Sequence, residues 1–255
     1  GGVFANVKVN QVIKELDVVK DAFIQPQMSD GGLCLGAAAA AQHFQGIKIK
    51  SLKNVYLGPK PGKKEKLSSL INNKPLVMRE LDDPTEKIIS HLIENKVIGL
   101  VRGRMEFGPR ALCNRSIIYK TSDRSANDWL NKRMNRTEFM PFAPVMTNIQ
   151  AEKSFPNFKD NDITLKFMTA TLDANHEFCE RCPAVSHIDK TARPQVIKKE
   201  EDVFLWNLLT RWEKESGEYS LINTSFNAHE EPIVCSAEDA INALLNKTID
   251  VLYID

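Results

Sequence analysis

The sequence predicts a mixed α/β fold of the α+β kind, on three observations. VIGLV (97–101) is a continuous apolar run with the length of a buried strand. Residues 201–216 repeat apolar positions at helical spacing and stop at Gly217. YSLINTSF (219–226) and DVLYI (250–254) return to strand composition, so strands and helices alternate along the chain.

From the N-terminus, residues 1–7 read as a short strand and KVNQVIKEL as a helix. DAFIQP reads as a second strand, stopped by Pro26. SDGGLCLGAAAAAQHF is a glycine turn into an alanine-rich helix, with Ser29 or Asp30 near its start. Together with the strand before it, this makes a βα unit whose helix N-terminus can face an anion. GPKPGKKEK (58–66) has the composition of a linker or exposed crossing. Asp83-Pro84 opens a helix that runs to about Asn95. Ser125 with Asp128 predicts a capping box for a helix over 126–134. Ser236 to Asp239 caps a helix to about Asn246, before the last strand.

With 255 residues, 42% hydrophobic and 26% charged, the composition is that of a globular chain of one large or two ordinary domains. A net charge of +1 argues against a general nucleic-acid or membrane coat, so any electrostatic function is local. No apolar run has the length of a bilayer span, and GGVFANV lacks the basic start and apolar core of a signal peptide. Five cysteines (34, 113, 179, 182 and 235), an odd number in a long chain, fit reduced thiols and a cytoplasmic setting.

Charge is concentrated in one place. Residues 102–136 hold nine Lys or Arg against three acids, a local +6. RGRMEFGPRALCNRS (102–116) alone carries Arg102, Arg104, Arg110 and Arg115, directly after the apolar VIGLV run. Arginine's planar fork matches phosphate and carboxylate oxygens, and glycine lets the backbone approach an anion. Two further segments are expected to converge there. SHIDKTARPQ (186–195) sets His187 among Asp189, Thr191 and Arg193, and NTSFN (223–227) ends a strand in small hydrogen-bonding side chains. The expectation is one pocket of Arg104, Arg110, Arg115, His187 and Arg193, rimmed by Ser225 and Asn227. His176-x-x-Cys179-x-x-Cys182 is half a zinc motif, and no structural metal is expected there.

GRMEFGPRALCNRSI (103–117), PFAP (141–144), PAVSHIDKTARPQ (183–195) and NTSFN (223–227) stand in an order that resembles a known family. It is that of the O-carbamoyltransferases of the nodulation-protein and antibiotic (tobramycin, cephamycin) type. GGVFANV and SDGGLCLGAA resemble the end of that family's first domain. The resemblance implies residues 1–57 as the remnant of an actin-like, threonylcarbamoyl-transferase-like ATPase domain, 58–75 as linker and 76–255 as a YrdC-like domain. The latter would be a twisted sheet with flanking helices. The chain is then expected to be a fragment, whose partners include a missing N-terminal half.

What the family does supplies further expectations. The second domain activates carbamoyl phosphate with ATP to carbamoyl adenylate, and the first passes the carbamoyl group to an acceptor hydroxyl. Arg104, Arg110, His187 and Arg193 would serve the chemistry. Gly2, Asn6, Arg115, Lys132, Arg136, Ser225 and Asn227 would contact the nucleotide. Asp30 matches an aspartate metal ligand, with Mg, and Fe or a similar metal in the complete first domain, as the cofactors beside ATP. Two departures stand out. Cys113 replaces the usual glycine and reads as a small buried thiol; Met134 and Met140 replace basic residues, reducing a Lys-x-Arg pair to Arg136 with Lys132 nearby. The acceptor is a small molecule or sugar, a homodimer is compatible, and neither membrane nor nucleic acid is an expected partner. Competing readings are a carbamoyl or threonylcarbamoyl adenylate synthase serving tRNA or hydrogenase maturation, and a non-catalytic YrdC-like RNA-binding module.

Overall fold

The computed structural model describes residues 1–62, 64–136 and 141–255; Met140 lies outside the described residues. Among the described residues eight strands form two sheets. They are β1 (Ile98–Val101), β2 (Arg115–Lys120), β3 (Ala143–Thr147), β4 (Leu172–Asp173), β5 (Thr191–Ala192), β6 (Gln195–Ile197), β7 (Leu221–Ser225) and β8 (Val251–Ile254). The main sheet runs β6-β3-β7-β2-β1-β8, and β4 pairs with β5 separately. Its pairings are mixed: β1–β8 and β3–β6 are parallel, while β1–β2, β2–β7 and β3–β7 are antiparallel.

The described helices are α1 (Val7–Lys14), α2 (Leu33–Phe44), α3 (Lys64–Ile71), α4 (Thr85–Ile93) and α5 (Ala126–Arg133). After them come α6 (Asn148–Ser154), α7 (Ile163–Lys166), α8 (His176–Arg181), α9 (Val203–Ser216) and α10 (Ala237–Leu245). Alternation along the strands splits the core into two layers. On one face Ile98, Leu100, Ile118 and Leu221 meet Ile88 and Leu92 of α4 and Leu205, Leu209 and Trp212 of α9. On the other, Val101, Ile117, Tyr119 and Ile222 meet Leu130 of α5, Phe155, Phe178 of α8 and Ala240 of α10. Gly99 faces this second layer, where a Cβ would come within 2.7 Å of Ile249 and Phe226. The central strand accordingly carries no side chain at that point.

Local chemistry sets the helix ends. Asp202 accepts from the Leu205 amide at 2.9 Å to open α9, and Gly217, at φ +77°, closes it. Ser236 and Asp239 form the capping box expected for α10. At α5 the expected box does not form. The Ser125 hydroxyl instead donates to Asp123 at 2.6 Å, and Trp129 Nε1 donates to the same carboxylate at 3.0 Å. An acid two residues upstream of the serine outcompetes the backbone amide for its hydroxyl.

Two expected strands are corrected. Residues 1–7 form a 3₁₀ turn, Gly2–Ala5, and then enter α1, which Asn6 caps by accepting from Lys8 N and Val9 N, both at 3.1 Å. DAFIQP pairs with no strand; Ile24, Pro26 and Met28 are buried while Pro26 lies against Gly108 of the arginine loop. Its burial comes from a loop, which offers no ladder of amides and carbonyls. The βα unit before α2 is therefore absent, and α2 buries none of its residues.

The N-terminal segments are tied to the rest. Asn10 of α1 donates to Thr169 O at 2.7 Å, and Gln11 donates to Asp173 at 2.9 Å. Residues 55–59 bond to 105–107 through three backbone hydrogen bonds, Gly58 N to Met105 O, Met105 N to Pro59 O and Phe107 N to Val55 O, while Pro61 O accepts from Ala237 N. Residues on both sides of the 58–75 stretch thus share one hydrogen-bond framework.

Candidate functional site

The arginine loop leaves β1 at Arg102 and re-enters the sheet at Arg115, the first residue of β2. Its shape is organised by its one acid. Buried Glu106 accepts through Oε1 from the backbone amides of Leu112 (2.5 Å), Asn114 (2.9 Å) and Arg115 (3.3 Å). Burial raises its pKa above the ordinary carboxylate value against the opposing pull of those amides. The loop also needs a left-handed residue: Cys113 sits at φ +73°, fully buried, with its amide donating to Ser116 Oγ at 2.9 Å. Glycine adopts that conformation without strain, which accounts for the glycine expected there. Burial pushes the Cys113 thiol far up, so it is held protonated and is no nucleophile.

The four arginines of the loop have different fates. Arg102 forms a two-pronged ion pair with Asp202, at 3.1 and 3.2 Å, and lies over the Phe204 ring. Exposed Arg104 donates to the carbonyls of Gly58 and Leu57. Arg115 is completely buried and directs its five donors at five carbonyl oxygens, those of Cys235, Arg102, Asn114, Pro59 and Gly103. No Arg115 donor is left for a ligand, so its expected convergence on the pocket is corrected, while Arg104 is tied to residues 57 and 58 through Nε and Nη2.

Arg110 is the exception. Its Nε is shielded from solvent without a hydrogen-bond partner, and so is the Nε of Arg193. Among the described residues neither guanidinium pairs with a carboxylate. Burial lowers both pKa values, and Arg110 beside it pulls Arg193 further, to about 9. His187 belongs to the same group: burial first, then the Arg193 charge, lower its pKa, with Asp189 opposing. Asn223 of β7 ties the Arg110 and Arg193 segments together: it donates to Ala111 O (3.0 Å) and Gln195 Oε1 (2.6 Å), while its own Oδ1 is buried and unpartnered. Two like charges, shielded at Nε and without an acid among the described residues, have the chemistry to accept an anion.

A second cationic group sits where β7 ends. Arg136 donates to Thr224 Oγ1 (3.1 Å) and Ser225 Oγ (3.3 Å), and Ser225 donates to Asn227 Oδ1 (2.7 Å). Burial lowers the Arg136 pKa, and no carboxylate contacts it among the described residues. Lys132 is exposed one turn earlier, and Met134 is fully buried in the core, so it leaves no room for a basic side chain facing the site. Arg136, Ser225 and Asn227 are thus brought together, with Ser225 two residues along β7 from Asn223.

The remaining candidates lie apart. Gly2 and Asn6 are exposed, and the Asn6 carbonyl is engaged as a helix cap. Asp30 is exposed at the start of a 3₁₀ turn, and no group of three His, Cys, Asp or Glu able to hold a metal occurs among the described residues. One carboxylate does not fit a divalent cation, which takes about six ligands. His176 faces Glu180 at 3.4 Å, while Cys182 is buried. Sequence reasoning missed Glu106, Gln195 and Asn223. Glu106 carried a signal, as the lone acid inside the arginine stretch; the two amides became visible only through the strand pairing.

Among the described residues no helix is long and apolar enough to cross a membrane. An uncharacterized protein of Methanocaldococcus jannaschii is 35% identical over 260 residues, spanning all of this chain and 48% of its own length. Nodulation protein NolO of Bradyrhizobium diazoefficiens is 32% identical over 259 residues, with 100% and 47% covered. The chain therefore spans about half the length of the curated relatives it matches. A crystal structure of full-length HypF in the phosphate- and nucleotide-bound form aligns with 70% of this chain and 22% of HypF, at 19% identity and a TM-score of 0.49. Residues 89–255, which contain both cationic groups, match the family described as Carbamoyltransferase C-terminus. The chain belongs to that family.

Proposed function

We propose that this chain supplies the carbamoyl phosphate and ATP site of an O-carbamoyltransferase. The observation that carries this reading is the Arg110–Arg193 pair, shielded from solvent and without a carboxylate. Its two planar forks suit the phosphate of carbamoyl phosphate. Arg136, with Ser225 and Asn227, suits the phosphates of ATP, and Lys132 is within one helical turn of it. Bringing two polyanions together requires fixed positive charge, which these arginines provide without being consumed.

Atom balance gives the order of events. Water adds to the carbamoyl carbon, the C–O bond to phosphate breaks, and carbamate and phosphate result. A carbamate oxygen then attacks the α-phosphorus of ATP, pyrophosphate leaves, and carbamoyl adenylate is the product. Neutral His187 is the base nearest the Arg193 charge, and general-base assistance contributes about 10²- to 10⁴-fold. The adenylate then gives its carbamoyl group to a hydroxyl of a small-molecule or sugar acceptor, a step assigned to the complete protein. Gly2, Asn6 and Asp30 would act there, with residues outside this chain. No step is routed through a metal.

The test measures pyrophosphate release from ATP. Dependence on carbamoyl phosphate supports the reading. Dependence on bicarbonate and threonine instead would sink it in favour of a tRNA-modifying synthase, and salt-steep RNA affinity with no turnover would favour a binding module.

A further inference from the structure

The turn that carries His187 is closed from both ends. His187 N donates to Thr191 O at 2.8 Å, and Lys190 N donates to His187 O at 2.9 Å. Thr191 begins β5, almost completely buried, in register with Asp173 of β4. Ring and hydroxyl are therefore held in fixed relation, with His187 Nδ1 at 3.0 Å from Thr191 Oγ1.

A threonine hydroxyl has one proton, and here its destination is determined. Thr191 Oγ1 lies 2.7 Å from Asp189 Oδ1, which also accepts from Thr191 N at 3.1 Å. A carboxylate only accepts, so the hydroxyl donates to Asp189. Its oxygen can then only accept from His187, and Nδ1 must carry the ring proton. Among the described residues no hydrogen bond reaches His187 Nε2. We infer that Asp189 and Thr191 are positioning residues that fix His187 as its Nδ1–H tautomer, leaving the Nε2 lone pair free as a base beside Arg193.

The charged groups around the ring act together with this relay. Arg193 disfavours the imidazolium, and Asp189 opposes it. Burial would raise the Asp189 pKa, but the Thr191 bonds and Lys8 outweigh it, so the acid stays ionised and accepting. Lys8 of α1 stands 3.4 Å from Asp189 Oδ2 and 4.0 Å from Asp173 Oδ1. The N-terminal helix thereby reaches the group that orients the base. In the proposed reaction, on which only this last role rests, Nε2 takes one proton from the attacking water as the C–O bond to phosphate breaks. It returns that proton to the departing phosphate oxygen, leaving carbamic acid, which ionises.

The experiment is nitrogen NMR of the histidine-labelled 255-residue chain, with His187 assigned by loss of its signal in His187→Gln. Wild type at pH 7.5 should show a neutral ring protonated at Nδ1. Thr191→Ser should keep that signature. Asp189→Ala is a surface change that frees the Thr191 proton to donate to Nδ1, so the ring should move to Nε2–H. Phosphate release from carbamoyl phosphate should then fall on the order of 10²-fold in kcat, with KM changed less than about 2-fold. An Nε2–H or doubly protonated ring in wild type, or an unchanged tautomer in Asp189→Ala, would overturn the relay. The expected tautomers in a protein that never turns over carbamoyl phosphate would uphold the relay and defeat the functional reading instead.

Discussion

Replacing Arg193 by methionine should make the ligand-free protein more stable while abolishing its affinity for phosphate. The structure gives the size of the effect. The fall of the Arg193 pKa from the ordinary guanidinium value to about 9 corresponds to about 5 kcal/mol of disfavour for its charged form. An apolar side chain of similar length removes that penalty and relieves Arg110, but loses whatever the guanidinium gained locally. A net gain of about 1–4 kcal/mol is the scale for replacing buried charge by packed apolar groups. The sign of the pH dependence follows from linkage. Above pH 9 folded Arg193 sheds its proton while the unfolded chain keeps it, so wild-type stability rises with pH relative to the variant. The advantage of Arg193→Met is therefore full below pH 9 and shrinks above it, by at most about 1.4 kcal/mol per pH unit. Urea unfolding at pH 8 and pH 10, with and without inorganic phosphate, measures both terms. Phosphate at about 100 times its Kd should stabilise wild type by about 2.7 kcal/mol and leave the variant nearly unmoved. A variant less stable than wild type without phosphate, yet equally stabilised by it, would refute the anion-receptor argument.

Arg110→Ala should weaken carbamoyl phosphate binding by about 2–4 kcal/mol, read by calorimetric titration; unchanged affinity would remove Arg110 from the site. Arg115→Lys should cost about 3 kcal/mol or more of stability, because an ammonium cannot satisfy five carbonyls arranged around a planar fork. Urea midpoints test this, and a loss under 1 kcal/mol would show that water replaces the guanidinium. At Cys113 alanine should cost about 1–2 kcal/mol through the cavity it leaves. Glycine recovers about 1 kcal/mol of left-handed strain and should match or exceed alanine, the reverse of their usual order. Glycine falling clearly below alanine in a thermal or urea series would contradict the strain at φ +73°.

Elements whose signals are local were legible from the sequence. β1, α9 with its Gly217 stop, β7, α10 with its capping box and β8 all lie where periodicity and caps put them. β2, β3 and β6 were not read, because Arg115, Pro144 and Gln195 interrupt the apolar pattern that marks a strand. Arg115 and Gln195 are explained in part by distant partners: Cys235 and Pro59 for Arg115, Asn223 for Gln195. DAFIQP failed in the opposite direction, since its burial is supplied by a loop. At the site, the grouping of Arg110 with His187 and Arg193, and of Arg136 with Ser225 and Asn227, follows from residues 77 to 91 positions apart in the chain. No periodicity links such segments; the sheet does, by setting β6 and β7 either side of β3.

The local charge of +6 over residues 102–136 has a meaning that segment counting hides. Arg102 is neutralised by Asp202, a hundred residues on, and Arg133 by Asp250, through bonds of 2.8 and 3.0 Å. Arg104 and Arg115 donate to backbone carbonyls and fix the loop to residues 57–59. These four do structural work, and each has its partners inside the chain. Among the described residues Arg110 and Arg136 are left without an acid, and Arg193 joins Arg110 from a segment whose net charge gave no warning. Arg136 keeps hydrogen bonds to Thr224 and Ser225, whereas the shielded Nε of Arg110 and of Arg193 has no partner to offset its desolvation. Such a group is held in place by the surrounding sheet, and under the proposed function its compensation comes from a bound anion. The cationic stretch is therefore two systems in one sequence: arginines whose partners build the loop, and arginines without an acid among the described residues, which the proposed function assigns to an anionic ligand.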